Sequence, residues 1–540
     1  MNRLQRFGLS LSTALLLSLA WPANGFAPLV FFAFVPLLRL QDEMGGTNGS
    51  ARIKGMFGYA YLSFVVWNIL TTWWIWNSTD FGAIMAIGLN SLFMTTVFWL
   101  FHLTKIKLYN NSKGFLVLIF YWMSWEWFHL DWDLSWPWLN LGHVFASKHS
   151  WIQWYEYTGS AGGTFWVLLS NILIYKTYKA YNESSLRSVS FKKHLSLTLI
   201  VLVFPLIVSL LIYHNYTEKG KSAEVVVVQP NFDPYTEQYE LPPSEVVNRN
   251  LSLAARAISP QTLYVVSPES AIQEEIWMEL TDKSASLQQI KDFIGQHPNI
   301  TFVIGASTFS HVPAGKENDH AARKFRRSEG YYFAHNTAFC LDASANTQFY
   351  HKSKLTPGVE MMPSWRILRP LNDFAINLGG TVGTLKVDNV RKIFKHKDGS
   401  FRVAPVICYE SVYGEFVAEF IRNGANLIFI ITNDGWWGNS PGHKQHLSFA
   451  RLRAIETRRS IARSANTGIS GFIDQRGDIY QATPYMEQAV IKQQLLANES
   501  LTFFVKYGDY LSRIAVFISL IFAVSTIARM LLPKKSLPNQ

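Results

Sequence analysis

Residues 401–434 read FRVAPVICYESVYGEFVAEFIRNGANLIFIITND. An apolar, β-branched run (401–410) is followed by a stretch with helical spacing (414–424), then by a second apolar run (426–434). Strand, helix, strand is the unit from which an α/β sandwich with a largely buried sheet is built. The first run ends in an unusual way. A strand end is commonly bland, but here Cys408 is followed by Tyr409 and Glu410, and the chain has only two cysteines in 540 residues.

The same alternation extends on both sides. Runs at 223–230, 262–270, 300–308, 334–342 and 468–474 read as strands, and 244–258, 286–296 and 443–462 have helical spacing. Polar side chains able to do chemistry collect just past strand ends: Glu269 in SPES, Cys408 and Glu410, and Asn433 with Asp434. In α/β sheets, sites form beyond the carboxyl ends of strands.

Composition divides the chain. Hydrophobic residues make up 49% and charged ones 16%, with 19 Trp and 38 Phe. Long apolar runs fill residues 1–215 and return in the last 35, while charges are spread through the middle. This pattern predicts a membrane protein with a large extramembrane domain between its last two spans. Three regions follow: a transmembrane region of seven spans over 1–215, an α/β domain over 222–500, and a final span over 507–533. The spans are expected at 8–22, 25–40, 56–75, 82–103, 114–130, 157–175, 195–213 and 508–532, giving an α-helical bundle of about eight. The short first run could be a cleaved leader, but a second run follows at once, so residues 1–25 are read as retained. Lys and Arg gather after the second, fourth and sixth runs, which places those loops and the N-terminus in the cytoplasm and residues 214–507 outside it. The net charge of +11 is then explained by cytoplasmic loops, with no nucleic-acid partner. No charge pairs stand out within the spans, which argues against a transporter. The Trp-rich loop 122–154 has two readings, an interfacial aromatic belt or a floor beneath an active site.

The chemistry starts from the thiol. Only the thiolate is nucleophilic, and an ordinary cysteine pKa of about 8.5 leaves it mostly protonated at neutral pH. It needs a base or a cation. Glu269 can abstract the proton, and Lys352, in YHKSKLTPGVE, can meet the oxyanion formed at an attacked carbonyl. Spacing alone leaves other readings open. His443 or His446 could pair with Cys408, Glu269 could cap a helical turn, and Lys354 beside Lys352 could be the solvated charge. Cys340, mid-strand in AHNTAFCLD, reads as a packed core thiol. There is no CxxC spacing and no phosphate loop, so no metal or cofactor is expected.

SPES with Glu269, YHKSKLTPGVE with Lys352 and PVICYES with Cys408 resemble the Glu-Lys-Cys triad of the nitrilase superfamily. Together with flanking spans, PWLNLGH at 137–143 and ITNDGWWGNSPGHKQHLSFARLRAIETRRSIARSANTG at 430–468, they resemble the membrane-embedded apolipoprotein N-acyltransferase family. The resemblance implies an αββα sandwich and a ping-pong acyl transfer through a thioester on Cys408. The donor would be a phospholipid of the phosphatidylethanolamine type. The acceptor would be the α-amino group of the diacylglyceryl-cysteine of a lipoprotein. It further implies Glu269 as base, Lys352 as oxyanion stabiliser, supporting roles for Glu360, Tyr409 and Glu410, and a mobile loop carrying Trp436. Work as a monomer in the bacterial inner membrane, with the catalytic domain on the periplasmic side, is also implied. Two departures are visible. TPGVE stands where the family has VPFGE, and the family's tryptophan after the VQ-x-N strand end is absent, Tyr235 and Tyr239 being the nearest aromatics.

Overall fold

The computed structural model describes all residues except 47–52, 184, 345, 362–383 and 533–540. Among the basic groups that orient the chain, Arg52 after the second run and the lysines at 534–535 after the last lie outside the described residues. The N-terminal half is helical: α1 (Arg3–Ala20), α2 (Val35–Gly45), α3 (Ile53–Thr72), α4 (Asp80–Tyr109), α5 (Val117–Phe128), α6 (Tyr155–Glu183) and α7 (Val189–Asn215). Among the described residues three helices are long and apolar enough to cross a membrane: α4, α7 and Tyr510–Leu531 near the C-terminus.

The run expected as a span over 25–40 is not one helix. A 3-10 turn at Ala27–Phe31 precedes α2, in which Pro36 stands at the first turn. Eleven α-helical residues reach only about 16 Å, short of a hydrocarbon core of about 30 Å. Asn171 of α6 bridges the break, its Nδ2 donating to the Val30 carbonyl and its Oδ1 accepting from the Phe34 N–H, both at 2.8 Å. Backbone groups freed inside a bundle need such partners. Just beyond the ends of the expected spans 25–40, 82–103 and 157–175, buried charges join three helices. Lys105 of α4, its side chain wholly buried, bonds Asp42 of α2 at 2.7 Å and also Gln41 and Asn111. Lys179 of α6 takes the other Asp42 oxygen at 2.7 Å. The pair escaped notice because its members lie 63 residues apart at run ends.

The middle of the chain supplies β1 (Lys221–Gln229), α8 (Pro243–Ala255), β2 (Thr262–Val266), β3 (Ile272–Trp277), α9 (Ala285–Gln296), β4 (Thr301–His311), β5 (Arg323–Lys324), β6 (Tyr331–Leu341), β7 (Gln348–His351), β8 (Phe394–Lys395) and β9 (Arg402–Ile407). Then come α10 (Gly414–Arg422), β10 (Leu427–Thr432), α11 (Pro441–Thr457), β11 (Ile461–Ala465), β12 (Gly471–Ile473), β13 (Ile479–Tyr480), β14 (Ala489–Ala497), α12 (Phe503–Tyr507) and α13 (Tyr510–Leu531). One sheet runs β14-β1-β2-β4-β6-β5, with β3 on β4 and β7 on β6; the other runs β13-β12-β11-β10-β9-β8. β9, β10 and β11 pair in parallel. Val225, Val227, Val266 and Cys340 of the first sheet share a core with Val406, Ile407, Phe429 and Ile431 of the second. On the far side of the first sheet, Val226, Val265 and Phe302 pack under α8 and α9. α10 and α11 cover the second sheet, which completes an α/β sandwich of two sheets between helical layers. The helical reading of 443–462 runs too far. Arg458 adopts a left-handed backbone (φ 51°) and the chain turns into β11, because Ile461–Ala465 pairs with β10 inside the sheet.

The membrane-region core does not stop at the helices. Tyr409, Val412, Tyr413, Phe449, Leu452 and Ile455 belong to the same buried cluster as Trp74, Trp122 and Trp138.

Candidate active site

β9 delivers Cys408. Its last residue, Ile407, is extended, and Cys408 then turns with φ 49°, opening a short 3-10 helix through Val412. A left-handed non-glycine residue costs about 1–3 kcal/mol and persists only where its surroundings hold it. Several groups do. Ser411 Oγ donates to the Cys408 carbonyl at 2.7 Å, and His446 Nε2 lies 3.1 Å from it. Glu410, fully buried, accepts from the Ile407 N–H (2.8 Å), the Ser353 N–H (2.6 Å) and the Tyr350 hydroxyl (2.8 Å). It thereby ties the nucleophile turn to the segment that carries Lys352. Burial pushes its carboxyl up to about 7 against these donors.

β2 delivers Glu269, and β4 lets it in. A side chain at Gly305 would place Cβ 2.6 Å from Glu269 Cα and from the Ser270 N. Only glycine admits the Glu269 backbone so close to the strand. Glu269 Oε1 accepts from Lys352 Nζ (3.0 Å) and Asn336 Nδ2 (2.8 Å), while Oε2 accepts from the Asn433 N–H (3.1 Å). Lys352, just past β7, also bonds Glu360 at 2.8 Å. Burial alone would lower the Lys352 pKa, but the two carboxylates outweigh it and hold the ammonium well above its ordinary range. Burial would raise Glu360, and the Lys352 charge more than reverses that. The Cys408 thiol is pushed up by desolvation and by the Glu269 charge, with Lys352 opposing. It therefore rests as a thiol beside a base and a cation.

One residue in this cluster, Asn336, was not singled out from sequence. Asn336 bridges Glu269 and Glu360 (3.2 Å to the latter) from mid-β6; its signal was an amide inside an apolar run. His446 and Asp434 form a buried pair at 3.0 Å, and Arg463 binds the other Asp434 oxygen. Burial would raise Asp434, but Arg463 and His446 hold it well below the usual carboxylate range. Cys408 Sγ, an Asp434 oxygen and a His446 nitrogen lie within 4.8 Å of one another. The imidazole is already engaged, by Asp434 through Nδ1 and by Ser411 and the Cys408 carbonyl through Nε2. That makes it a clamp on the turn. His443 points elsewhere and stacks on Tyr485 at 4.2 Å. Lys354 reaches the Leu130 carbonyl and Asp131 of the Trp-rich loop. Cys340 is buried in the inter-sheet core.

That loop lies under the site. The Tyr409 hydroxyl donates to the Ser135 carbonyl (2.9 Å), Tyr413 and Ser135 share a hydroxyl bond (2.8 Å), and Trp136 stacks on Tyr409. Gln445 Oε1 accepts from the indoles of Trp138 (2.7 Å) and Trp74 (3.3 Å). Of the two readings, the structure places the loop as a floor. Trp436 sits above, its carbonyl accepting from Ser78 Oγ (2.9 Å) and the Tyr235 hydroxyl (3.0 Å). Tyr235 meets its ring edge-on at 5.1 Å, and Tyr239 lies 6.3 Å from it.

Between floor and lid is a cavity of about 280 Å³. Glu269, Lys352, Glu360, Cys408, Tyr409 and Trp436 line it together with an apolar face of α4.

The chain is similar to known proteins. The model of the apolipoprotein N-acyltransferase N-terminal domain matches residues 13–173, and that of carbon-nitrogen hydrolase matches residues 214–498. Apolipoprotein N-acyltransferase from Chlorobaculum tepidum is 29% identical over 536 residues, covering 97% of each chain. That from Geobacter metallireducens is 25% identical over 522 residues, covering 92% of this chain and 90% of its own. Among solved structures, Saccharomyces cerevisiae Nit3, a nitrilase-superfamily member, aligns at 16% identity and TM-score 0.37, over 51% of this chain and 90% of that one.

Proposed function

Because the chain belongs to the carbon-nitrogen hydrolase family, matched over more than half its length, we propose that Cys408, Glu269 and Lys352 carry its acyl-transfer chemistry. It is an acyltransferase of lipoprotein N-acylation, a membrane protein whose substrate is a lipoprotein. The finer reading takes a phospholipid, of the phosphatidylethanolamine type, as acyl donor. One observation carries it: the cavity that holds the thiol continues along an apolar helix face, as a fatty acyl chain requires.

In the first half-reaction Cys408 Sγ attacks the donor ester carbonyl while Glu269 takes the thiol proton. The Lys352 ammonium meets the oxyanion, in a setting where a preoriented charge acts at low dielectric. Collapse breaks the ester C–O bond, and Glu269 returns the proton to the leaving glyceryl oxygen. In the second half-reaction the lipoprotein α-amino group attacks the thioester. Its proton passes to Glu269 and on to the departing sulfur, leaving an amide and the free thiol. Glu360 and Asn336 hold Lys352 and Glu269 in register, and Glu410 and Tyr409 hold the turn. The donor ester is already activated, so the two steps need no nucleotide.

The spatial frame is part of the proposal. Eight passages cross the bacterial inner membrane, the second a broken one over 27–45 closed by Asn171. The N-terminus is cytoplasmic, the α/β domain stands on the periplasmic side, and the enzyme works as a monomer. Three regions, 1–215, 222–500 and 507–533, describe the chain.

The test is direct. Purified protein is incubated with phosphatidylethanolamine vesicles and a diacylated lipopeptide, and peptides bearing Cys408 are weighed by mass spectrometry. Wild type gives N-acylated product and an acyl adduct on Cys408; Cys408→Ser gives neither, while Cys340→Ser gives both. No product from wild type, or full activity in Cys408→Ser, sinks the proposal.

A further inference from the structure

We infer that Phe93 fixes the length of acyl chain the enzyme accepts; this rests on the phospholipid-donor reading above. The α4 residues that line the cavity include Gly82, Met85, Ala86, Leu89 and Phe93. Their spacing of three or four puts them on one helix face. The face begins beside the lid, where Ser78 bonds the Trp436 carbonyl. Among the described residues no α4 position beyond Phe93 lines the cavity.

The dimensions fit one chain. From Gly82 to Phe93 the helix rises roughly 16 Å. One leaflet is half of a hydrocarbon core of about 30 Å, or about 15 Å, which is the depth an ordinary membrane acyl chain spans. Gly82, Met85 and Ala86 line the cavity at the end of the face beside Ser78 and Trp436, and Leu89 and Phe93 line it at the other. Phe93 is also braced as an end wall should be: its ring lies 5.1 Å from Trp125, 5.2 Å from Trp132 and 6.1 Å from His129. A carboxyl carbon on Cys408 thus leaves the chain's methyl end against Phe93.

A competition experiment tests this. Full-length enzyme is given equal amounts of phosphatidylethanolamines with myristoyl, palmitoyl, stearoyl and arachidoyl chains, plus the diacylated lipopeptide, in one reaction. Products are resolved by mass. Each added methylene that finds room changes relative transfer about fourfold. Phe93→Ala is expected to shift the product ratio towards longer chains by roughly 15-fold for the next even-numbered chain, which adds two methylenes, and Phe93→Trp towards shorter ones. The readout is a ratio within one tube, so loss of folded enzyme cancels; if Phe93→Ala fails to fold, Phe93→Leu and Phe93→Trp decide. An unchanged ratio in variants that still transfer overturns the assignment and leaves the donor reading intact. Failure of wild type to transfer from any donor overturns the donor reading instead.

Discussion

Glu410 sits beside the nucleophile in sequence yet faces away from the sulfur, with three strong donors on its two oxygens. It acts as a joint between the Cys408 turn and the Lys352 segment. Glu410→Gln replaces one acceptor oxygen with an NH₂ that confronts a backbone N–H. A buried donor left unpaired costs about 1–3 kcal/mol. We expect slower thioester formation and a lower melting temperature, with Glu410→Ala worse in both; an unaltered thioester rate in Glu410→Gln would remove the joint from the mechanism. Asp434 carries a pH signature. Its carboxyl is held well below the ordinary aspartate value of about 3.9 by Arg463 and His446, against burial. A depressed carboxyl contributes stability that is full above its unfolded value and is lost as pH falls through the folded one. Wild type should therefore outlast Asp434→Asn in thermal melts by about 3–5 kcal/mol at neutral pH, and the gap should narrow once pH drops below about 4. A gap that is constant with pH would show that the Asp434 charge contributes nothing. Cys408, Glu269 and Lys352 were legible from sequence because each follows an apolar run and has the right chemistry. Asn336 was not, because only the long-range pairing of β4 with β6 brings it to Glu269, and His446 was read only as a possible partner of the thiol, not as a clamp on its turn.

β1, β2, β4, β6, β9, β10 and β12 and helices α8 to α11 were legible for a local reason: short apolar runs and 3.6-residue spacing reveal themselves within a dozen residues, whereas β3 and β14 carry charged or polar residues in mid-run and were not read. β11 was missed because RRSIARSA extends the basic, helix-like spacing of α11, and the break at Arg458 is a backbone event. The broken passage over 27–45 was missed for a similar reason, since apolar content does not report where a helix stops. β4 makes its own prediction through Gly305. Gly305→Ala should force the Glu269 backbone off the strand, since a Cβ there would lie 2.6 Å from it. The overpacking cost is about 1–3 kcal/mol, so the variant should fold yet form thioester far more slowly. A variant with wild-type rate would mean the Glu269 turn can give way without harm.

The helical region and the catalytic domain share one of the buried cores. Tyr409, Tyr413, Phe449 and Leu452 belong to the catalytic domain by sequence and to the membrane-region core by packing. Polar ties repeat the theme: Ser160 N–H to Glu456 (3.0 Å), Arg458 to Gln153 (2.7 Å), His149 with Asp478 (2.8 Å). The boundary near residue 216 is a boundary of composition and of secondary structure, since α7 ends at Asn215 and β1 starts at Lys221, but not of packing. This has a consequence for how the protein would respond to proteolysis. A protease site inserted between Glu218 and Gly220 should sever the chain while leaving the two fragments joined and the N-acylation assay at near wild-type rate. Separating the fragments should silence both, and active fragments after separation would disprove the shared seat. On this expectation the chemistry is confined to the membrane: a catalytic piece freed into water would leave its floor behind.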